Sequence, residues 1–537
     1  MRKIIVILSL LMAVVAGNAQ TELYLKGNVV KGNSVLLDYL GDEVWQSEVT
    51  LDDSRVFLFS DKYVYFDCPS ASYRSDNIRI NGGTYTVRFS MKDKSFTFSA
   101  PTDENRISAF GSSVCNGQGA SENKGYAWLY GELLGERYSK QQSEHPFYVS
   151  GVSIGGNNTR NLLDRYIDLT RNHSRYVIIG LSMGNEGIHE ASNKQQILDQ
   201  FSTNMQTIIR KVKADGMVPV VMNNYTRGDF TSTDYHYIKE MNLKIHQWNV
   251  SSVNTLGAID NGEGHWADGY MQDNAHPTTN GHREFFYAMP PSLFDAIASG
   301  KALAERNTSG GVVLGEGSVI KFRGEETVHP FTVTLRVKGG NEGRLLTYKM
   351  TSGTREGTLK VDAGGHVVYT NTTNKTLTSE NTISDGEWHL VTLTHYFAQG
   401  RTLLYVDSQP AGEIRERINA VADLLVGDNQ DAAVSRELSE VFFWRSALSP
   451  DEVEAVCKGQ MLKSSLEIYV PVFSLSSLAN KAMSLNEVEY VQGGSTAVAT
   501  LAVKSPGSRH IYNLSGQQVD GNWRGIRIQD GKKILRR

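Results

Sequence analysis

Two short stretches carry residue types that together could perform nucleophilic acyl transfer. ISAFGSSVCNG, from Ile107 to Gly117, ends an apolar strand on a Gly-Ser-Ser turn, and such a turn exposes a side chain at the carboxyl edge of a sheet, where α/β folds bind ligands. Ser113 is the candidate nucleophile. A serine hydroxyl is a weak nucleophile at neutral pH, so it needs a base and an acid that orients the base. DNAHP supplies both far downstream, as Asp273 and His276. Three residues apart on a loop entering a helix, these two can hydrogen-bond to each other, and Pro277 suits a first helical turn. The plain alternatives are a strand-to-helix cap at Gly111 to Ser113 and a structural Asp-His pair capping the helix from Thr278. Cys115 offers a thiol two residues beyond Ser113, although a buried structural role suits it better. A metal reading is also open, because His265, Asp268, Asp273 and His276 fall in one segment and are ligand types.

These residues need a scaffold that brings strand ends together. Between Arg106 and about Gly300 strands alternate with helices, which predicts a parallel sheet covered on both faces. The expected strands are RISAF, FYVSGVS, RYVIIGL, VPVVM and one near NTLGAI. The clearest helix runs from about Asn193 to Lys213, with Ile197, Phe201, Met205, Ile208 and Val212 on one face and Gly216 closing it. Two further strand ends, IGGNNT and SMGNEG, offer the Gly156 N–H and the Asn185 amide. A tetrahedral intermediate needs such donors aimed at its oxyanion. Alone, a glycine pair is a turn and an asparagine is a cap; the ordered series Ser, Gly, Asn, Asp-x-x-His carries the information.

On these residues the stretch from about Arg106 to Met289 resembles the SGNH (GDSL-like) hydrolases. The resemblance implies a flavodoxin-like α/β domain. It implies Ser113 as nucleophile and, through its own N–H, as one oxyanion donor, with Gly156 and Asn185 as the others. His276 would be the general base and Asp273 the acid holding its tautomer. Because the family block accounts for Asp273 and His276 without a metal, neither metal nor cofactor is expected. Two departures stand out: Ser112 replaces the usual Asp before the nucleophile, and Met183 and Glu186 replace Gly and Asp around Asn185. They bear on substrate and local hydrogen bonding more than on the triad.

The remaining chain divides by composition. Residues 1–19, with Arg2, Lys3 and an apolar run from Ile4 to Val15, read as a signal peptide. From 20 to 101, segments such as VFLFS and TYTVRFS alternate between turns, predicting a small N-terminal β-sandwich. Its last hairpin, Gly82 to Ala100, resembles that of carbohydrate-binding modules in bacterial glycan-uptake proteins, and Trp45, Tyr63 and Tyr65 could stack on sugars or fill a core. The hydrolase region is expected over 105–300. Residues 309–475, with DGEWHLVTLTH, RTLLYVDSQPAGE and ELSEVFFWRSALSPDEVEAV in series, resemble a laminin-G-like, concanavalin A-like jelly roll, with Trp388 and Trp444 expected in its core. Residues 489–537 look like a small β tail, similar to sorting signals of secreted bacterial enzymes.

The chain has 537 residues, enough for roughly three to four domains, with a net charge of -4 and a sequence pI of about 6.4. Nothing basic enough for a nucleic-acid partner is present, and no segment suits a membrane span. Cys68, Cys115 and Cys457 sit in different segments and predict no disulfide framework. The whole reads as a secreted multidomain serine esterase acting on an acylated polysaccharide or glycan, its oligomeric state unspecified. The alternatives are a lipid or aryl esterase of the same fold and a catalytically impaired glycan-binding surface protein.

Overall fold

The computed structural model describes residues 22–493, except 316, 340–341, 352 and 429–435, and beyond 493 the backbone of four short strands between 511 and 536. The expected signal peptide lies outside the described residues.

The first domain is two four-stranded antiparallel sheets. Alternation along Gly83–Ser90 sends Tyr85, Val87 and Phe89 inward onto Trp45, Val49 and Phe66, while the residues between them face water. That period of two is what one buried sheet face demands. Trp45 is core. Tyr63 and Tyr65 stack on each other, half-buried, with ring centroids 6.4 Å apart.

The central domain is a five-stranded parallel sheet in the order Tyr148–Gly151, Asp103–Gly111, Ser174–Gly180, Val218–Met222, Ser251–Val253. Its inner strands are buried on both faces, as in parallel sheets, while the edge strand Tyr148–Gly151 is partly exposed. Val177 and Ile179 point to one side, where the helices Lys194–Ala214 and Ser232–Gln247 contribute Phe201, Met205, Ile208, Ile238 and Met241. Tyr176 and Ile178 point to the other, against Tyr130 and Leu134 of the helix Tyr126–Ser139 and Phe285 of Thr279–Tyr287. This is the architecture expected from the alternating pattern. The fifth strand departs from expectation: it is Ser251–Val253, and Leu256–Ile259 of NTLGAI forms a short helix. All four helical residues are buried, and a short buried apolar run has the same sequence pattern in either state.

The third domain is a pair of seven-stranded antiparallel sheets with one shared core that includes Phe331, Leu335, Val391, Leu424 and Phe443. Trp444 is fully buried. Trp388 is not: it is half-buried under the Arg336 guanidinium, 4.4 Å from its ring centre, because Trp388 begins its strand at the sheet's end. The jelly roll also takes one more strand than expected. Val488–Val491 pairs antiparallel with Val319–Arg323, so the tail expected from 489 starts after it. Within that tail the described strands form a four-stranded antiparallel sheet.

The hydrolase domain is gripped by the jelly roll rather than tethered to it. Ser465 N–H donates to Ser252 O at 3.0 Å, covering the open edge of the strand Ser251–Val253. Glu452, in the first turn of Pro450–Cys457, accepts from His246 at 3.0 Å and from Asn254 at 2.7 Å, all three buried. Arg445, 1% exposed, reaches Tyr287 O across the boundary while holding Glu467 at 2.7 Å.

Candidate active site

The parallel register places three strand ends side by side. Gly111 pairs with Gly180, and a Cβ on Gly111 would lie 2.1 Å from the Gly180 carbonyl. Only glycine permits that approach. The turn that follows leads to Ser113, 8% exposed, and is fastened by Ser112 N–H to Gly180 O at 3.2 Å and Gln118 N–H to Ser113 O at 2.9 Å.

His276 Nε2 lies 2.9 Å from Ser113 Oγ. On its other side, His276 Nδ1 is 2.9 Å from both carboxylate oxygens of Asp273. The loop is closed locally, with Ala275 and His276 N–H groups donating to Asp273 Oδ1 at 2.8 and 2.9 Å. With Nδ1–H given to Asp273, the Nε2 lone pair faces the serine hydroxyl, the tautomer a general base requires. Burial opposes ionisation of Asp273, but its hydrogen bonds from His276 and Ala275 outweigh it and hold the carboxyl below its ordinary value. The Asp273 side chain is 56% exposed and that of His276 12%, so the acid sits at the rim and the base inside.

The two expected amide donors lie on the neighbouring strand ends. Gly156 has φ +76°, a left-handed conformation glycine adopts without strain, and neither its N–H nor that of Ser113 makes a hydrogen bond among the described residues. A Cβ on Gly155 would come within 3.7 Å of Ser113 Cβ, so this loop borders the serine. Asn185 donates one amide hydrogen to Asn157 O at 2.9 Å, which ties the second strand end to the third and leaves its other hydrogen.

Three supporting residues brace the site, of which only Glu186 was marked in the sequence, as a departure from the family pattern. Arg165 donates to Val152 O at 2.8 Å, to Gly111 O at 3.2 Å and to Asn157 Oδ1, so one guanidinium holds the first and second strand ends together. Burial pushes its pKa down to about 10, still a cation at neutral pH. Glu186, one of the two departures around Asn185, accepts the Thr159 N–H at the start of the helix Thr159–Asp164, a favourable place for an acceptor. Burial raises its carboxyl pKa. Asn224, fully buried, accepts from Met183 N–H at 2.8 Å. An arginine and an asparagine between elements have too many other uses for spacing to single out Arg165 or Asn224.

The rival readings find other places. Cys115 lies under the paired glycines, its sulfur 2.8 Å from where a Gly180 Cβ would be, and burial pushes its thiol pKa up, the opposite of an activated nucleophile. Ser112 is fully buried, and its Oγ has no partner among the described residues. His265 turns to Gly228 O at 3.2 Å rather than joining Asp273 and His276. No cluster of three or more His, Cys, Asp or Glu suited to a metal occurs among the described residues. All three cysteines are free thiols, and no helix among the described residues is long and apolar enough to cross a membrane.

Comparison with known proteins gives two family matches. Residues 109–284 match the GDSL-like Lipase/Acylhydrolase family. Residues 314–454 match the Concanavalin A-like lectin/glucanases superfamily. No curated protein matches the chain. Among solved structures, similarity is found to a catalytic mutant of an acetylxylan esterase from Geobacillus stearothermophilus, at 16% identity, covering 35% of this chain and 92% of that one, TM-score 0.27. A G-D-S-L family protein from Desulfitobacterium hafniense is 14% identical over 34% of this chain and 96% of its own, TM-score 0.28. A heptameric SAP-like pentraxin from Limulus polyphemus is 16% identical over 35% of this chain and 98% of its own, TM-score 0.25.

Proposed function

We propose, for a chain that carries a GDSL-like lipase/acylhydrolase domain and a concanavalin A-like domain, that the protein is a secreted serine esterase removing O-acyl groups, acetyl first among them, from a polysaccharide or glycan. The observation that carries the chemistry is the unbroken line from Asp273 through His276 to Ser113 Oγ, with 2.9 Å at each step.

In this reading Ser113 Oγ attacks the ester carbonyl carbon while His276 Nε2 takes its proton, and Asp273 stabilises the imidazolium. The oxyanion forms facing the N–H groups of Ser113 and Gly156 and the Asn185 amide. Collapse breaks the ester C–O bond, and His276 returns the proton to the departing sugar oxygen. Water then attacks the acyl-serine with His276 again as base, and Ser113 Oγ leaves carrying the proton. No cofactor takes part.

The glycan assignment draws on the surface beside Asp273. A shallow depression of about 590 Å³ there is lined by Gln118, Ser121, Gln272, Thr278, Thr279 and Asn280. Amides and hydroxyls suit a hydroxyl-rich chain better than an acyl tail. Export rests on the leader-like residues 1–19 and is checked by the amino terminus of the mature protein. The substrate class is tested by acetate release from a panel of acetylated polysaccharides against aryl and long-chain lipid esters. Higher kcat/KM on at least one acetylated glycan than on every lipid ester is expected; preference for long acyl chains would overturn it.

A further inference from the structure

A second cavity, of about 390 Å³, lies between the N-terminal sandwich and the hydrolase domain. It is within the size range of sites that hold small ligands, and domain boundaries are a usual place for them. We propose that it is a sugar-binding subsite, which takes a pyranose unit of the glycan chain whose ester is cleaved at Ser113. The inference rests on the glycan reading above, and its test is independent of ester cleavage.

Aromatic rings from both domains border this space. Phe57, from a loop of the sandwich, is 51% exposed, and Tyr148, on the edge strand of the hydrolase sheet, is 38% exposed. Trp128, in the first turn of Tyr126–Ser139, is half-buried. Their neighbours are core: Phe59 is 1% exposed and packs in the hydrolase cluster, and Ala127 and Tyr130 are buried under the same helix. The chain thus had apolar positions within two residues at which to bury Phe57 and Trp128, and leaves both facing one cavity. A pyranose presents an apolar face of C–H groups and an edge of hydroxyls, so it lies against a ring and hydrogen-bonds at its rim.

The rim supplies those partners. Asn116 and Asn123 line the cavity, and their side-chain amides make no hydrogen bond among the described residues. Asp53, Lys62 and Arg106 form a braced polar wall: Lys62 holds Asp53 at 2.8 Å, Asp53 accepts from Gly82 N–H at 2.9 Å, and Arg106 donates to Gly82 O at 3.1 Å. The Asn81 side-chain amide donates through Nδ2 to Gly151 O at 2.9 Å and joins the two domains beside it. The site is therefore formed before any ligand arrives, which limits the ordering cost of binding. Asn116 is three residues beyond Ser113, so the cavity borders the turn that carries the serine.

The test uses the full-length protein and oligosaccharides without ester groups: xylohexaose, mannohexaose, cellohexaose and hexagalacturonic acid. Tryptophan fluorescence and calorimetry read binding in wild type, Trp128→Ala and Phe57→Ala, each checked for an unchanged thermal transition. Binding of at least one oligosaccharide, weakened tenfold or more by either substitution with turnover of a small aryl acetate unchanged, is the expected result. If no oligosaccharide binds, or both variants bind as wild type does, the subsite is wrong. A wild type that binds sugar here yet cleaves only lipid esters would instead overturn the substrate assignment and leave the subsite standing.

Discussion

At the scale of single residues, what was legible in the sequence is what chemistry restricts. Ser113, Asp273 and His276 are residue types with few substitutes in acyl transfer, and they stand out because three strand ends and one Asp-x-x-His loop follow in a fixed order. The structure brings them to hydrogen-bonding distance. Arg165 was not legible, since its importance lies in three acceptors contributed by Val152, Gly111 and Asn157, and no local spacing records that. Lysine at 165 would keep the charge but lose the fork that reaches separate acceptors. Arg165→Lys is expected to lower kcat by up to about 100-fold, the cost of an ångström-scale misplacement, with KM little changed; steady-state kinetics on an aryl acetate, with a thermal melt as control, decide it. An unchanged kcat would reduce Arg165 to a packing residue.

At the scale of elements, alternation and helical periodicity defined the sheet and its covering helices, and failed where burial is uniform, at Leu256–Ile259. The helix Thr279–Tyr287, which follows the His276 loop, carries a less visible device. His282 is fully buried, with Nε2 2.9 Å from Gln118 O and Nδ1 accepting from Tyr126 N–H at 3.4 Å. It links this helix to the turn after Ser113. Burial pushes its pKa down from 6.5 to about 4. Between those values the unfolded chain holds a proton that the folded one refuses, so stability is full above pH 6.5 and falls as pH drops toward 4. The contribution is about 3 kcal/mol. His395 in the jelly roll, pushed to about 3 by burial, acts in the same direction. Thermal unfolding between pH 7 and pH 4.5 is expected to show a shallower acid-side decline in His282→Gln than in wild type. Parallel curves would contradict the assignment.

At the scale of the whole molecule, the chain carries a GDSL-like lipase/acylhydrolase domain whose sheet edge at Ser251–Val253 is covered by the jelly roll. Strand alternation on either side of a strand–helix pattern was enough to read an α/β region flanked by two antiparallel β regions. It could not show the boundary between them, which depends on Glu452, His246, Asn254 and Ser465 meeting across some two hundred residues of chain. Removing Glu452 leaves two buried polar partners unsatisfied and breaks the capping box it forms with Ser449. Glu452→Ala is expected to cost about 3 kcal/mol, seen as a lower denaturation midpoint for the hydrolase and jelly roll together. A fragment of 106–300 alone should lack a cooperative transition, because the edge at Ser251–Val253 and the face around His246 would be open to water. Cooperative folding of that fragment would show the domains to be independent.

The claim on which the rest depends is that Ser113 is the residue that takes the acyl group. A fluorophosphonate that esterifies activated serines, followed by peptide mass spectrometry, tests it directly. The account predicts a single modified site at Ser113, appearing in step with loss of aryl acetate turnover and slowed strongly by His276→Gln. Modification at Ser112 or Cys115 instead, or full inactivation with Ser113 unmodified, would contradict it.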